Sequence, residues 1–320
     1  METFYELQSL TYRGKEYSYI YIGFRDRETG HVFTTGESDQ IGLDQVTNQY
    51  RIEHGIPFLD EIVSIRQKYG LSASGMSEIL GFGTNQWRRY EQGEVPSESN
   101  GKMIRSVMNP KVMLDLVEHS RGELSEKEYA RIVPKIKAVI EQREQHRQEE
   151  YAIGRLYATP RCADNGFAPQ SPERLKNLLL AILERCGSLF YTQMNKILFY
   201  IDFLSYRERG MAISGLSYRA IEFGPIPNRY ERVYSGFDEI EPTPKMIGEV
   251  EGTILNAGMP ADMSFFTEEE QAIIEQVCNR FKGLSSRQLS DISHQEEAWK
   301  KYHENKEGIP FAEAFTLSAF

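Results

Sequence analysis

Apolar and polar positions alternate on either side of "RDRETG" in residues 16–36, "EYSYIYIGFRDRETGHVFTTG". This period of two is typical of half-buried strands, and two such runs around a Gly-containing loop predict a β-hairpin. A short helix is predicted to follow from Leu43 to His54. We therefore expect residues 1–57 to form an N-terminal hairpin region.

Helical spacing replaces this alternation in residues 58–118, where apolar residues fall into three stripes. The first stripe ends at Tyr69, the second at Leu80, and the third contains Trp87 and Tyr90. Glycines commonly end helices because they adopt positive φ without strain. They stand at the breaks between and after the stripes, at Gly70, Gly81 and Gly93. Three short helices with tight joints are predicted.

Two of these helices, Ser74–Leu80 and Thr84–Glu91, are separated by "GFG". A three-residue turn of this kind sets two helices at a steep angle in DNA-binding helix-turn-helix units, whose second helix enters the major groove. The pattern therefore predicts that the second helix reads DNA. The alternative is a small helical bundle whose polar face is simply solvated.

The polar residues of the second helix suit base recognition. Once Trp87 and Tyr90 point inward, Asn and Gln remain available to pair with adenine, and Arg to pair with guanine. The start of the preceding helix, at Ser72 and Ser74, can present backbone N–H groups to a phosphate. The predicted base-reading residues are Thr84, Asn85, Gln86, Arg88 and Arg89.

A charged segment, "ELSEKEYARIVPKIKAVIEQREQHRQEEYAIGRLY", follows the helical block. Ser125 and Glu128 have the spacing of a capping box, and Pro134 is expected to interrupt or kink the helix that they begin. We predict a connector helix and linker over residues 119–170, with the domain boundary between Thr159 and Pro172 because "ATPRCADNGFAPQSP" is rich in Pro and Gly. The second domain then spans residues 171–320.

Residues 196–237, "KILFYIDFLSYRERGMAISGLSYRAIEFGPIPNRYERVYSGF", contain a helix-forming half and a strand-forming half. The helical half predicts one apolar face and a polar face that carries Asp202 and Arg207, and it ends near Gly210. The second half contains a short strand-like run that ends in "GPIP". No nucleophile, metal cluster or phosphate loop stands out, so the segment predicts a shaped surface.

Composition narrows the class of protein. A chain of 320 residues accommodates two domains, and its mean hydropathy of -0.50, without a long apolar run or signal peptide, predicts a cytoplasmic protein that does not enter membranes. Three dispersed cysteines favour neither disulfides nor a Cys-rich zinc site. The net charge of -10 argues against wrapping nucleic acid over the whole surface, while leaving room for a local DNA-reading face.

Catalysis is not predicted. His294 has carboxylates around it in "DISHQEEAW", yet no second histidine at helical spacing and no nucleophile signature accompany it. We interpret His294 as a structural residue at a helix end or in a polar network. No cofactor or metal is expected.

The stretch "LSASGMSEILGFGTNQWRRYEQGEVPS" resembles the Xre-type helix-turn-helix, and "QYRIEHGIPFLDEIVSIRQKYGLS" is similar to the C-terminal half of MqsA-family antitoxins. The resemblance covers about residues 25–115. It implies DNA binding by an antitoxin. The family's preceding module binds zinc through Cys pairs, whereas this chain has no cysteine before Cys162, so the hairpin must hold together without metal. Gly75 and Gly83 also depart from the usual pattern.

The stretches "MNKILFYIDFLSYRERG" and "ISGLSYRAIEFGPIPNRYERVY" resemble the Panacea domain of SocA- and GepA-like proteins, over about Leu175 to Trp299. The resemblance implies a mostly helical domain with a small β element that neutralises a toxin by protein contact. Aromatic and Arg residues are favoured at such contacts, although any single aromatic residue is more often core. The predicted toxin-contacting residues are Tyr206, Tyr218, Arg219, Phe223, Arg229 and Tyr230.

Together these patterns predict a mainly α protein with small β elements that acts as an antitoxin. Its expected partners are a cognate toxin and operator DNA, with a protease as a further candidate. A homodimer is expected because one helix-turn-helix reads only a few base pairs, and its contact could use the connector helix or the N-terminal hairpin. The alternative is a phage-associated transcription regulator or protease adaptor without a toxin of its own.

Overall fold

The computed structural model of the protein describes residues 1–122, 124–247 and 250–320. In these residues helices dominate, and the strands form small antiparallel sheets, so the predicted fold class is confirmed. Backbone contacts divide the chain into two compact units. The first comprises residues 1–11, 18–45 and 149–320, and the second comprises residues 12–17 and 46–148.

The chain opens with a three-stranded sheet of order β1-β2-β3 and a helix. Phe24 lies opposite Phe33, with ring centroids 5.8 Å apart, which confirms the hairpin predicted around "RDRETG". The sequence does not predict the first strand. Eight of its eleven residues are exposed, and apolar and polar residues do not separate onto two faces. The elements are β1 (Glu2–Tyr12), β2 (Lys15–Arg25), β3 (Val32–Phe33) and α1 (Gly36–His54).

A helical bundle makes up most of the second unit. Its core contains Ile62 and Tyr69 from the first of its helices, Met76 from the next, and Trp87 and Tyr90 from the third. The three predicted short helices are therefore present, with glycine after the first at φ 65°. The helices are α2 (Leu59–Tyr69), α3 (Ala73–Ile79), α4 (Gln86–Glu91), α5 (Glu98–Ser106), α6 (Pro110–His119) and α7 (Glu126–Glu141).

The predicted connector consists of two helices, and the break between them does not fall at Pro134. The capping box of Ser125 and Glu128 begins α7 as predicted, but α7 continues through Pro134 to Glu141. Gln142 is its C-cap residue, and α8 (Arg143–Leu156) follows. The predicted interruption at Pro134 is wrong, because Ile132, Ile136 and their neighbours are buried in the bundle core and hold the helix together. Thus α7 is a packed member of the bundle.

The first unit continues with helices around short strands. Two antiparallel hairpins are present, β5 with β6 and β7 with β8, and β4 pairs with β8. The elements are α9 (Pro172–Cys186), β4 (Leu189–Phe190), α10 (Tyr191–Arg209), β5 (Tyr218–Ile221), β6 (Gly224–Pro227), α11 (Tyr230–Tyr234), β7 (Ile240–Ile247), β8 (Val250–Ala257), α12 (Glu268–Phe281), α13 (Ser286–Ser293) and α14 (Glu297–Lys300).

The central element of this unit is α10. It ends at Gly210, which adopts φ 68°, as predicted. All thirteen residues from Met194 to Tyr206 are buried, including Asp202, so the predicted polar face is wrong for that residue. Helices, strands and the C-terminal segment surround α10 on every side, and no face of its middle is left to solvent.

Candidate functional site

The buried aromatic residues of helix α4 anchor it in the core of the bundle. Trp87 is fully buried, its backbone N–H donates to Ser77 Oγ at 3.0 Å, and its indole N–H donates to Glu91 Oε1 at 3.1 Å. The same carboxylate accepts from Arg66 Nε at 2.5 Å. Charge-assisted hydrogen bonds are stronger than those between neutral groups. One face of α4 is therefore held rigidly in the bundle.

The opposite side of α4 carries the residues predicted to read DNA. Arg88 and Arg89 are exposed, while Gln86 is half-buried and donates from Nε2 to Glu94 Oε1 at 2.8 Å. Thr84 and Asn85 are exposed in the turn before the helix. Four of the five predicted base-reading residues are thus exposed, and the fifth, Gln86, is half-buried.

The two serines predicted to contact a phosphate lie at the start of α3. Ser72 is its N-cap residue, and its Oγ accepts the backbone N–H of Gly75 at 3.0 Å. Ser74 Oγ lies 3.1 Å from Ser72 Oγ, and both residues are exposed. Capping satisfies a helix N–H that would otherwise lack a partner, so Ser72 has a structural role here.

The segment "RAIEFGPIP" forms the β5–β6 hairpin, whose two-residue loop is Glu222–Phe223. Phe223 is 61% exposed at the tip. Three side chains donate hydrogen bonds to backbone carbonyls of the hairpin, one in the loop and one in each strand beside it. They are Trp299 Nε1 to Ile221 O at 2.7 Å, Ser290 Oγ to Phe223 O at 3.2 Å and Lys196 Nζ to Pro225 O at 3.0 Å. The hairpin therefore presents an aromatic ring on an ordered backbone.

Gly224 allows the hairpin to approach α10 closely. Its φ is 98°, and a methyl group at this position would lie 2.6 Å from Lys196 Cε. Only glycine fits both demands. Burial lowers the pKa of Lys196 to about 7, since its ammonium group is removed from water.

Asp202 is a buried acceptor that shapes the backbone leading into β5. It accepts from the backbone N–H groups of Ile213 at 2.9 Å and Ser214 at 2.7 Å, from the Tyr218 hydroxyl at 2.5 Å, and from the Ser214 hydroxyl. Burial raises the pKa of Asp202, and these four hydrogen bonds oppose that rise.

The residues predicted to contact a toxin separate into buried and exposed groups. Tyr206 is 7% exposed and Tyr218 is 1% exposed, so both rings belong to the core, where they pack against Phe311. Arg219 and Phe223 are exposed, and Tyr230 is half-buried. The pKa of Tyr230 is raised mainly by burial, with the nearby Arg219 charge opposing the rise.

Arg229 is exposed but bonded. Its guanidinium group donates to Gly154 O at 2.8 Å and to Tyr157 O at 2.6 Å, at the end of α8. Its backbone adopts φ 60°, which is uncommon outside glycine and asparagine. These contacts assign Arg229 a structural role in joining α8 to the segment after β6.

Sequence reasoning missed the side chains that hold the hairpin, namely Lys196, Trp299 and Ser290. The available signal was a lysine within the apolar run "MNKILFYIDFL", where a solvated side chain has no obvious place. Asp202 in the same run carries the same signal. A charged residue in an all-apolar helical stretch is a candidate for an internal structural bond.

His294 occupies the end of α13, as predicted. It is the C-cap residue, and its ring stacks on Trp299 with centroids 4.0 Å apart, while Trp299 stacks in turn on His303 at 4.1 Å. Burial is the main cause that lowers the pKa of His294, and the Lys196 charge adds to it. Its Nε2 is buried without a hydrogen-bond partner among the described residues.

Comparison with known proteins finds a family match for one region of the chain. None of the described helices combines the length and the hydrophobicity needed to cross a membrane. No curated protein and no solved structure matches the chain. Residues 194–300, about a third of the chain and the part that contains α10 and the β5–β6 hairpin, match the family model described as "Antitoxin SocA-like, Panacea domain", which supports an antitoxin domain in this region.

Proposed function

We propose that the protein is a cytoplasmic antitoxin that binds a cognate toxin through its Panacea-like region and represses its own operon through helix α4. It acts by binding and not by catalysis. The observation that carries the proposal is the match of residues 194–300 to an antitoxin domain, combined with the exposed, well-held ring of Phe223 in that region.

The hairpin surface, consisting of Arg219, Phe223 and Tyr230, is the proposed toxin contact. Aromatic and Arg side chains are enriched at hot spots of protein interfaces. An ordered backbone reduces the entropy lost on binding, and three side-chain hydrogen bonds to the Ile221, Phe223 and Pro225 carbonyls hold the tip of the hairpin in order. A stable complex needs an interface of roughly 1,600 Å² in total, so flanking residues must take part.

Toxin neutralisation in cells tests this contact. The toxin is sought as the product of the neighbouring reading frame, co-expressed with the full chain. Phe223→Ala and Arg219→Ala are expected to lose rescue and pull-down, whereas Tyr151→Ala is the matched control, because Tyr151 is 74% exposed on α8 outside the matched residues. Full rescue by both hairpin variants would show that the toxin contact lies elsewhere on the protein. A neighbour product that is harmless and does not bind would favour the regulator or protease-adaptor alternative.

Operator binding is proposed for α4 because Arg88 and Arg89 are exposed on a helix whose other side is buried. Each base-contacting arginine contributes about 1–3 kcal/mol of discrimination. A homodimer on an inverted repeat is proposed, since two half-sites multiply the few contacts of one helix. Arg88→Ala with Arg89→Ala should abolish binding to the promoter fragment, and Lys102→Ala, an exposed cation on α5, should not.

A further inference from the structure

The outer edge of β1 is unusually open for a strand of eleven residues. It is the end strand of its sheet, and Leu7 is 70% exposed and Leu10 38%. A long edge strand with exposed apolar side chains is a pairing surface, and proteins usually shorten, charge or cover such edges. Only Glu2 and Glu6 are charged along β1.

The turn after β1 determines which backbone groups face outward. The two-residue loop has positive φ at both positions, 48° at Arg13 and 86° at Gly14, which is typical of a type I′ hairpin. In such a hairpin the flanking residues, Tyr12 and Lys15, exchange both hydrogen bonds, and the bonds recur at every second residue. The free N–H and C=O groups are then those of the odd-numbered residues. In the described parts of the chain, no further strand or loop bonds to them.

We propose that a second copy of this chain pairs its β1 antiparallel to this edge, with the two-fold axis at Leu7. Residue i then lies opposite residue 14 − i, and all eleven positions of β1 are paired. Leu7 meets its own copy through outward-facing backbone groups, and Phe4 lies opposite Leu10. Cross-strand apolar pairs of this kind stabilise a sheet.

Charge and the number of paired residues favour this register over its neighbours. With the axis at Leu7, Glu2 lies opposite Tyr12 and Glu6 opposite Gln8, so no like charges lie directly opposite each other. Moving the axis to Glu6 places two glutamates directly opposite each other, which is destabilising. Moving it to Gln8 leaves Glu2 and the residue after it unpaired. A two-fold partner also explains the exposed leucine at the axis.

This inference rests on the dimeric DNA reader proposed above and names its contact. One strand pair is a small interface, so the free dimer is expected to be weak and to be favoured when both copies bind one operator.

Cysteine crosslinking tests the register directly. A residue paired with its own copy lies about 5.5 Å away between Cα atoms, within the range of a disulfide. Leu7→Cys should therefore give a covalent dimer under oxidation. Ser9→Cys, two residues along the same face, should give none beyond the wild-type background of Cys162, Cys186 and Cys278. A crosslink from Glu6→Cys and not from Leu7→Cys would overturn the proposed axis.

Sedimentation of the full chain tests the interface itself. Leu7→Lys places two ammonium groups on the axis and should weaken dimerisation at least tenfold, while Val32→Lys, on the opposite edge of the same sheet, should not. A wild-type monomer at the highest soluble concentration and on operator DNA would overturn the proposal, as would an unchanged dimer in Leu7→Lys. A monomer whose toxin binding depends on Leu7 would assign the edge to the toxin. A dimer that does not bind operator DNA would refute the proposed repressor function but would leave the proposed β1 pairing in place.

Discussion

Helix α4 and the β5–β6 hairpin both present side chains to solvent, but they are held in place differently. In α4, Trp87 and Tyr90 are buried, and the charged Arg88 and Arg89 between them face outward. In the region of the hairpin the charged side chains Lys196 and Asp202 are buried, and an apolar ring is exposed at the tip. The apolar–polar pattern therefore identifies the surface of a helix with one buried side, and fails around a helix that is buried on all sides.

The difference has an energetic consequence. Exposed residues of α4 can change with little effect on folding, because their groups contact water. Around α10, a buried polar group that loses its partner costs the full desolvation penalty, about 1–3 kcal/mol. Substitutions of exposed residues in α4 should therefore change function without changing stability. Substitutions near the hairpin should change both.

The largest expected effect compares two aromatic residues of the hairpin. Tyr218→Ala should lower the free energy of unfolding by about 3–5 kcal/mol, because it leaves a cavity and removes a bond to Asp202. Phe223→Ala, with its ring 61% exposed, should stay within about 0.5 kcal/mol of wild type. Urea denaturation measures both, and equal losses would contradict the division into core and surface.

The next effect concerns pH and Lys196. The folded pKa of about 7 lies below the unfolded value near 10.4, so between these values the unfolded chain binds a proton that the folded chain lacks. Stability from this group therefore rises with pH, by about 2 kcal/mol between pH 7 and pH 9. Lys196→Met should remove this rise in urea titrations, whereas Lys300→Met, on an exposed side chain, should retain it. Parallel slopes for wild type and Lys196→Met would refute the buried-lysine interpretation.

A smaller effect on stability is expected when Arg229 is substituted. Arg229→Ala removes two bonds from a guanidinium group to the end of α8, and a loss of about 1–2 kcal/mol should follow. Arg219→Ala is the matched control, since Arg219 is exposed on β5. Thermal unfolding and limited proteolysis near residues 154–157 report the change. Identical stability of the two variants would show that the Arg229 bonds contribute nothing measurable.

The smallest effect on stability is expected in α4. Arg88→Ala and Arg89→Ala should each change the free energy of unfolding by less than about 0.5 kcal/mol. Trp87→Ala, in contrast, opens the bundle core and removes the bond to Glu91. If the arginine variants unfolded as readily as Trp87→Ala, their loss of promoter binding would be a folding defect and not a loss of base contacts.

Much of the local structure could be predicted from sequence because its causes are local. Ser125 and Glu128 begin α7 by bonds within one turn, and Gly210 ends α10 by its own positive φ. The hairpin around "RDRETG" and the three helices up to Trp87 and Tyr90 follow from period and turn residues. For the candidate surfaces, the sequence identified Arg88, Arg89, Arg219 and Phe223, all of which are exposed.

The tertiary structure alone decided which of the remaining residues face inward. The partner of the Tyr200 hydroxyl, Glu296, lies 96 residues away, and the carbonyl bonded by Lys196 lies 29 residues away. Burial of Asp202 likewise depends on how the chain returns after α10. Sequence determines where a helix starts, which residues share its face and where it ends. Whether a face is buried depends on elements brought from far along the chain, because burial is a property of the packed core and not of one segment.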